Sequence, residues 1–233
     1  MFVTRPQLNK LSFRHINVGD IQVNVVDSVR NLGAVFDSQL SMSNHIAAKC
    51  KISFYHLYNL RKIRDYLSRD TCEILVHSLI FSQIDYCNGL LYGLPKSSIA
   101  KMQRIQNYAA RLICLKPKFC RITPLLLELH WLPVESRTIF KISLFVFKAI
   151  NKQAPDYICD MFTSRDSGHS LRSSHGPILD VPFTRQCFAG RSLRIAGPNL
   201  WNNLPLEIRT ISEISEFKSK LKTHLFNQAF FST

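Results

Sequence analysis

The chain has 233 residues, of which 46% are hydrophobic, so it is long enough and apolar enough to bury a sizeable core and is not typical of a disordered protein. Thirty Lys and Arg against sixteen Asp and Glu give a formal net charge of +14, which suits a polyanionic partner such as nucleic acid or an anionic membrane surface. The alternative is a basic surface that serves solubility and has no specific partner.

Residues 1–37 have the pattern of β structure. In "INVGDIQV" a Gly-Asp pair separates two short runs rich in Ile and Val, which predicts a hairpin. The following "VRNLGAVFD" predicts a third strand. We interpret this segment as a small N-terminal β-hairpin piece.

Residues 41–162 change to a helical period and predict a bundle. In "HIAAKCKISFYHLYNLRKIRDYL" apolar residues recur three and four apart, which predicts an amphipathic helix. The next stretch, "TCEILVHSLIFSQIDYC", is apolar nearly all round and predicts a helix enclosed by neighbours. Two further helices are predicted at "PKSSIAKMQRIQNYAARLICL" and "VESRTIFKISLFVFKAIN", each with basic residues on one face.

The C-terminal third is predicted to be less regular. Residues 163–176 are polar, rich in Gly and Ser and without a period, which predicts an exposed loop or linker. Residues 177–233 predict a mixed α/β tail, with short strands at "PILDVPF" and "RSLRIAG", a turn-bounded apolar plug at "PNLWNNLP" and a closing helix at "SEISEFKSKLKTHLF". The predicted fold class is therefore mainly α, with small β elements at the two ends of a helical bundle.

The stretch "LHWLPVESR", residues 129–137, predicts a junction between two helices. We interpret Leu129, Trp131 and Leu132 as a packing wedge. Pro133 disfavours helical backbone at the residue before it, so one helix ends there and the next begins. In that next helix Arg137 opens the basic face.

The sequence lacks common catalytic and nucleotide-binding motifs. It has no adjacent or near-adjacent pair of Asp residues for a two-metal site, no P-loop, no dinucleotide fingerprint, no nucleophile elbow and no H-E-x-x-H. Its seven cysteines are scattered without a C-x-x-C pair, which argues against a disulfide framework or a structural zinc site. We therefore predict no catalytic residue, no metal, no cofactor and no small-molecule substrate for this chain.

The chain shows no signal for secretion or membrane insertion. It contains no uninterrupted apolar window of about 18 residues, and "MFVTRPQLNKLSFRH" has no apolar run of signal-peptide length. We expect a soluble intracellular protein with no membrane partner, and both nuclear and cytoplasmic locations are open.

A basic stretch between Tyr86 and Leu127 is the most informative feature, because it contains no acidic residue. An ordinary solvated helix face mixes charge signs, so this pattern favours contact with a phosphate backbone over a solvated face or a membrane-surface helix. Tyr108 or Phe119 would offer a surface for a base or sugar. The candidate nucleic-acid-binding residues are Lys101, Arg104, Tyr108, Arg111, Lys116, Lys118 and Arg121, with Arg137 and Lys141 as a second line.

Eight stretches, read in chain order, resemble the C-terminal part of the reverse transcriptase of non-LTR (LINE-type) retrotransposons, of jockey-like and chicken-repeat-like elements in particular. They are "VRNLGAVFDSQLSMSNHI", "SQIDYCNGLLYGLP", "MQRIQNYAARLI", "ITPLLLELHWLPVESR", "FKAINKQAPDYI", "LRSS", "GPNLWNNLP" and "FKSKLKTHLF". The resemblance covers nearly the whole chain from about residue 25. It implies that residues 1–37 are the remnant of a palm-closing hairpin and residues 41–162 a thumb-like bundle.

The resemblance also implies a function. The chain would follow the catalytic palm and lack its metal-binding aspartates, so the Mg²⁺ of the family polymerase would have no ligands here. What it would retain is sequence-tolerant binding to RNA, DNA or their hybrid, since contacts from Lys and Arg to phosphates do not read bases. Two alternatives stay open: a structural or interaction fragment with no nucleic-acid role, and a partial gene model of a complete reverse transcriptase. The oligomeric state is also open.

Overall fold

The structure is a computed structural model and describes residues 15–165, 178–185 and 189–231. These residues are mainly helical, with two small antiparallel hairpins near the N-terminus, which confirms the predicted fold class. The chain divides into two compact units, Met1–His45 and Ile46–Thr233. Residues 166–176 of the predicted linker lie outside the described residues.

The N-terminal unit contains two β-hairpins where the sequence predicted one hairpin and a third strand. The strands are β1 (His15–Val18), β2 (Ile21–Asn24), β3 (Ser28–Asn31) and β4 (Ala34–Asp37), paired β1 with β2 and β3 with β4. The stretch "VRNLGAVFD" therefore forms two strands. The physical reason is that Leu32 and Gly33 both have positive φ, at 45° and 80°, as a two-residue type I′ turn requires.

The described residues after Ser41 are mainly helical. They are α1 (Ser43–Ile63), α2 (Arg69–Val76), α3 (Ser82–Asp85), α4 (Lys96–Ile113), α5 (Thr123–Glu128), α6 (Val134–Ile150), α7 (Asp156–Cys159), α8 (Leu193–Asn202), α9 (Leu206–Arg209) and α10 (Ile214–Phe230). A π-helical turn, His77–Phe81, joins α2 to α3 without a break. Short 3₁₀ segments lie at Arg64–Tyr66, Asn88–Leu91 and Ala189–Arg191.

The helical periods of the sequence predict these elements well. On α4, Met102, Ile105 and Ala109 are buried while Lys101 and Arg104 are exposed, so one face packs and the other is basic, as predicted. The stretch predicted to be enclosed by neighbours is only partly so. On one side of α2 and the π-helical turn, Cys72, Val76 and Ile80 are buried. On the other side Ile74 is 68% exposed.

Part of the predicted tail is corrected by the structure. The strand predicted at "RSLRIAG" is wrong, because the chain is helical from Leu193 onward. Gly197 packs closely there: a Cβ added to it would lie 2.7 Å from the Phe162 ring and 2.9 Å from Val146. The predicted plug "PNLWNNLP" begins inside the same helix and buries Trp201. In "PILDVPF" the β pairing in the described residues is an isolated bridge from Leu179 to Ser164.

One hydrophobic core joins α6 to the tail helices. The Phe147 ring of α6 stacks on the Phe217 ring of α10 with centroids 4.1 Å apart, and Trp201 lies 5.9 Å from Phe217. The buried members of this core are Leu132, Val146, Phe147, Leu179, Trp201, Leu204, Ile208, Phe217, Leu221 and Leu225. The described part of the tail thus contributes to the same core as the bundle.

The junction at residues 129–137 has the predicted form. Helix α5 ends with His130 in the left-handed region, at φ 52°, and the Trp131 N–H donates to the Leu126 carbonyl at 2.9 Å, as in a Schellman motif. Leu129, Trp131 and Leu132 are all buried, which confirms the wedge.

Two glutamines of α4 hold the backbone on either side of Pro133. The Gln106 side chain, fully buried, donates to the Leu132 carbonyl at 2.8 Å. The Val134 N–H donates to the Gln103 side-chain oxygen at 2.9 Å. The first N–H groups of a helix have no intrahelical acceptor, so Gln103 satisfies one of them from outside the helix. The junction is therefore fastened to α4.

Candidate nucleic-acid interface

A buried arginine joins the end of α1 to the end of α4. Arg64, only 6% exposed, donates to the carbonyls of Leu112 at 2.9 Å, Ile113 at 2.8 Å and Leu67 at 2.7 Å. The last carbonyls of a helix have no intrahelical partner, and positive charge is favoured there by the helix dipole. Arg64 therefore fixes the ends of the two helices relative to each other.

A groove of about 640 Å³ lies where these helix ends meet the loop after α4. It is lined by Arg61, Arg64, Asp65, Tyr108, Arg111, Leu112, Leu115, Lys116, Pro117 and Lys118. Four predicted site residues thus line one groove, namely Tyr108, Arg111, Lys116 and Lys118. Sequence reasoning missed Arg61, although the run of Arg61, Lys62 and Arg64 at the end of α1 was a visible signal of local positive charge.

The loop after α4 is held in place by α4 itself. Leu115 takes a left-handed conformation, at φ 51°, and the Lys116 N–H donates to the Arg111 carbonyl at 3.0 Å, which closes a Schellman motif. The Arg111 guanidinium donates twice to the Cys120 carbonyl, from Nε at 3.3 Å and from Nη2 at 3.0 Å. Arg111 therefore positions the loop in addition to lining the groove.

The basic side chains beyond the groove lie along the same two helices. Helices α1 and α4 run side by side in the same direction, since Cys50 contacts Met102 and the Phe54 ring meets the Tyr108 ring edge-on at 5.8 Å. Burial raises the pKa of the Cys50 thiol, and the charges of Lys101 and Arg104 oppose that rise. Those two cations therefore lie near the N-terminal half of α1.

We call the resulting surface the basic strip. Its members are Phe54 and Arg61 of α1, Lys101, Arg104, Tyr108 and Arg111 of α4, and Lys116, Lys118 and Phe119 of the following loop. Among the residues that the structure describes, none pairs as an ion partner with Lys101, Lys116 or Lys118. Arg121 is exposed on the same loop but does not line the groove.

Arg137 and Lys141, the second-line candidates, lie outside the basic strip. Arg137 donates through Nε to Asp85 at 2.8 Å and forms a second bond from Nη2 to the other oxygen of that carboxylate. Its guanidinium carbon is 4.4 Å from the centroid of the Phe81 ring. Lys141 and Arg137 line a smaller cavity of about 250 Å³ together with Lys222. The structure therefore does not bring these two residues to the basic strip.

Two cysteines near the strip, Cys72 and Cys114, are weaker acids than a free thiol. Burial raises the pKa of the Cys72 thiol and of the Cys114 thiol, which disfavours the nucleophilic thiolate. Within residues 15–165, 178–185 and 189–231, no group of three or more His, Cys, Asp or Glu residues could hold a metal ion. The described helices include none with the length and apolar content needed to cross a membrane.

Comparison of the chain with known proteins gives no match: no family model fits the sequence, and neither a curated protein nor a solved structure is significantly similar to it. The resemblance to retrotransposon reverse transcriptases stays a prediction.

Proposed function

We propose that this chain binds RNA, DNA or their hybrid through phosphates, without reading base sequence, and that the basic strip is the binding surface. The observation that carries the proposal is the convergence of cations from α1, α4 and the loop after α4 on one groove, where Asp65 is the acidic residue of the lining. Asp65 alone cannot neutralise Arg61, Lys116 and Lys118.

The chemistry of the strip fits a phosphate backbone. Lysine and arginine side chains that are not held in ion pairs can neutralise phosphates and release the counterions condensed on the nucleic acid, which provides a favourable, salt-dependent free energy. Such contacts fix the position of a strand but carry no sequence information. We leave Arg64 and Arg137 out of the proposed strip, because Arg64 is buried against three backbone carbonyls and Arg137 is paired with Asp85 away from the groove.

We also propose that the chain corresponds to the thumb-like part of a non-LTR retrotransposon reverse transcriptase. Two observations support this second proposal: the order of the eight resembling stretches, and a helical bundle whose basic face lies on the helix containing "MQRIQNYAARLI". In this proposal the chain contributes template-primer binding, and catalysis is not assigned to any of its residues.

A salt series on the full chain tests nucleic-acid binding. Fluorescence anisotropy with a labelled template-primer gives the association constant. Its logarithm should fall linearly with the logarithm of the salt concentration, with a slope of about −0.9 per phosphate contact on a duplex. Replacing Arg61, Lys116 and Lys118 with Gln should make that slope less negative by about 2 to 3 units, because up to three phosphate contacts are lost.

The matched control removes the same charge from another surface. Lys218, Lys220 and Lys222 are all exposed on α10, and their replacement with Gln should leave the slope within about 1 unit of the original. Equal weakening by both triple variants would show that net charge matters and the strip does not. Binding that ignores salt, or no binding at low salt, would overturn the nucleic-acid proposal and favour an interaction fragment.

A further inference from the structure

The basic strip contains aromatic rings that the fold leaves exposed. Phe54 is 41% exposed, Tyr108 is 43% exposed and Phe119 is 92% exposed. The edge-on contact between Phe54 and Tyr108 covers part of each ring, whereas the Phe119 ring has little packing of its own, so packing explains the position of Phe119 least. Their positions among Lys and Arg residues suggest a ligand that has both anionic and aromatic groups.

Cations accompany two of these rings, Tyr108 and Phe119. Tyr108 lines the groove with Arg61 and Lys116, and the Lys118 ammonium lies 6.0 Å from the centroid of the Phe119 ring. An aromatic side chain and cationic side chains are thus neighbours both in the groove and on its loop.

Duplex and single-stranded nucleic acids would use this surface differently. In a duplex the bases are stacked on each other and the protein meets mainly phosphates and sugars, so exposed rings add little. In a single strand the bases are free to stack on protein aromatic rings, while a basic groove follows the backbone. Stacking of this kind tolerates any sequence, because every base has a flat aromatic face.

We infer that the basic strip binds single-stranded RNA or DNA in preference to duplex, with bases stacked on Tyr108 and Phe119 and phosphates on Arg61, Lys116 and Lys118. This inference rests on the proposed nucleic-acid binding and narrows it to unpaired strands, so that of a template-primer the strip would take the unpaired template and not the duplex. From the Cys50–Met102 contact to the bonds between Arg64 and the end of α4, the strip spans about 20 Å of helix. A strand with the ~3.4 Å spacing of duplex DNA would cover that length with about six nucleotides, and a more extended single strand with fewer.

The neighbouring helix faces argue against a membrane as the occupant. A helix that lies on a lipid surface inserts a continuous apolar face, whereas Leu57, Leu60 and Ile105 of α1 and α4 are buried in the protein. The strip exposes three aromatic rings together with lysine and arginine side chains, which is not a continuous apolar face.

The test compares ligands and variants of the full chain. Fluorescence anisotropy measures binding to a 12-nucleotide oligothymidine and to a 12-base-pair DNA duplex. In parallel, cosedimentation measures binding to phosphatidylserine vesicles. Tyr108→Leu and Phe119→Leu retain apolar bulk and remove the aromatic ring. Each should weaken oligothymidine binding about tenfold, with an unchanged salt slope because no phosphate contact is lost.

The matched control is Phe145→Leu. Phe145 is 38% exposed on α6 and has a lysine neighbour too, since the Lys141 ammonium is 5.3 Å from its ring, but it does not line the groove. Its replacement should leave oligothymidine binding within about twofold of the original. Thermal unfolding of all three variants verifies that they fold.

The outcomes separate this inference from the proposal beneath it. The single-strand inference is supported if the chain binds oligothymidine more tightly than duplex and if Tyr108→Leu and Phe119→Leu remove that preference. Equal or tighter binding to duplex, unaffected by Tyr108→Leu and Phe119→Leu but lost with the lysines, overturns the single-strand inference and leaves the proposed function intact. No salt-dependent binding to either nucleic acid, or binding to the vesicles alone, overturns both.

Discussion

The basic strip and the cluster around Asp85 both gather positive charge, but they use it differently. In the strip, Lys116 and Lys118 face a groove in which Asp65 is the acidic lining residue. Around Asp85, the guanidinium of Arg137 is bound at two points by the carboxylate and covered on one side by Phe81. The difference teaches that cations on a helix are available to a ligand only where no carboxylate is bonded to them.

The same contrast exists within one turn of the chain. Arg61 is exposed at the groove, whereas Arg64, three residues later, is buried with its guanidinium bonded to backbone carbonyls. One arginine is available to a ligand and the other stabilises the fold. Substitutions that separate stability from binding therefore test the comparison directly.

The largest effect is expected for Arg64→Ala. It leaves buried carbonyls without a donor and removes the link between the ends of α1 and α4, so we expect the free energy of unfolding to fall by about 3 kcal/mol. Urea denaturation measures it. Arg61→Ala is the matched control and should change stability by no more than about 0.5 kcal/mol. Similar losses from both variants would contradict the structural role of Arg64.

A smaller effect is expected for Asp85→Asn. The pair with Arg137 is bidentate but partly exposed, with side chains 36% and 22% accessible, so solvent screening limits the loss of stability to about 1 kcal/mol. Nucleic-acid affinity should not fall, because this cluster is not part of the strip. A fall in affinity at unchanged stability would place Asp85 and Arg137 in the binding surface instead.

Asp65→Asn tests the role of the acidic residue that lines the groove. Removing the acidic lining residue eliminates its repulsion of phosphates, so we expect affinity for nucleic acid to rise by about threefold at low salt and less at high salt. Stability should change by no more than about 0.5 kcal/mol, because Asp65 is exposed. Anisotropy at two salt concentrations and urea denaturation measure the two quantities, and weaker binding would contradict the assignment of the groove.

The smallest effect is expected for Leu115→Gly. Leu115 has a positive φ at the end of α4, where glycine has no steric cost, and its side chain is 64% exposed. We expect stability to rise by about 0.5 kcal/mol, as measured by thermal unfolding. Lys152→Gly is the control outside the strip, because Lys152 has the same role after α6 at φ 54°. Destabilisation of Leu115→Gly alone would show that its side chain supports the groove wall.

Much of the helical fold could be predicted from the sequence because its signals are local. The periods of α1, α4 and α6 identify both the helices and their buried faces. The strand predicted at "RSLRIAG" failed for a tertiary reason: the small residue Gly197 suits close packing of α8 on α6, and a single sequence does not show that contact. The turn at Leu32 was missed because leucine rarely adopts positive φ.

The candidate site was predictable where its residues are close in sequence. Tyr108, Arg111, Lys116 and Lys118 were identified from a stretch without acids, and the structure places all four on one groove. The partners that come from distant positions were not predictable. Asp65 of the groove lies outside that stretch, and Asp85 reaches Arg137 across 52 positions of the chain.

The glutamines that bracket Pro133 have a consequence for the strip. Gln103 and Gln106 bond the backbone beside Pro133, while Arg104 and Tyr108 point from another side of the same helix. Rotation of α4 about its axis would break both of these hydrogen bonds. The two uncharged side chains therefore help to set the direction in which the cations of α4 point, although they do not contact those cations. A chain with every lysine and arginine of the strip but without those two side-chain amides would keep its charge and lose one restraint on how that charge faces the ligand.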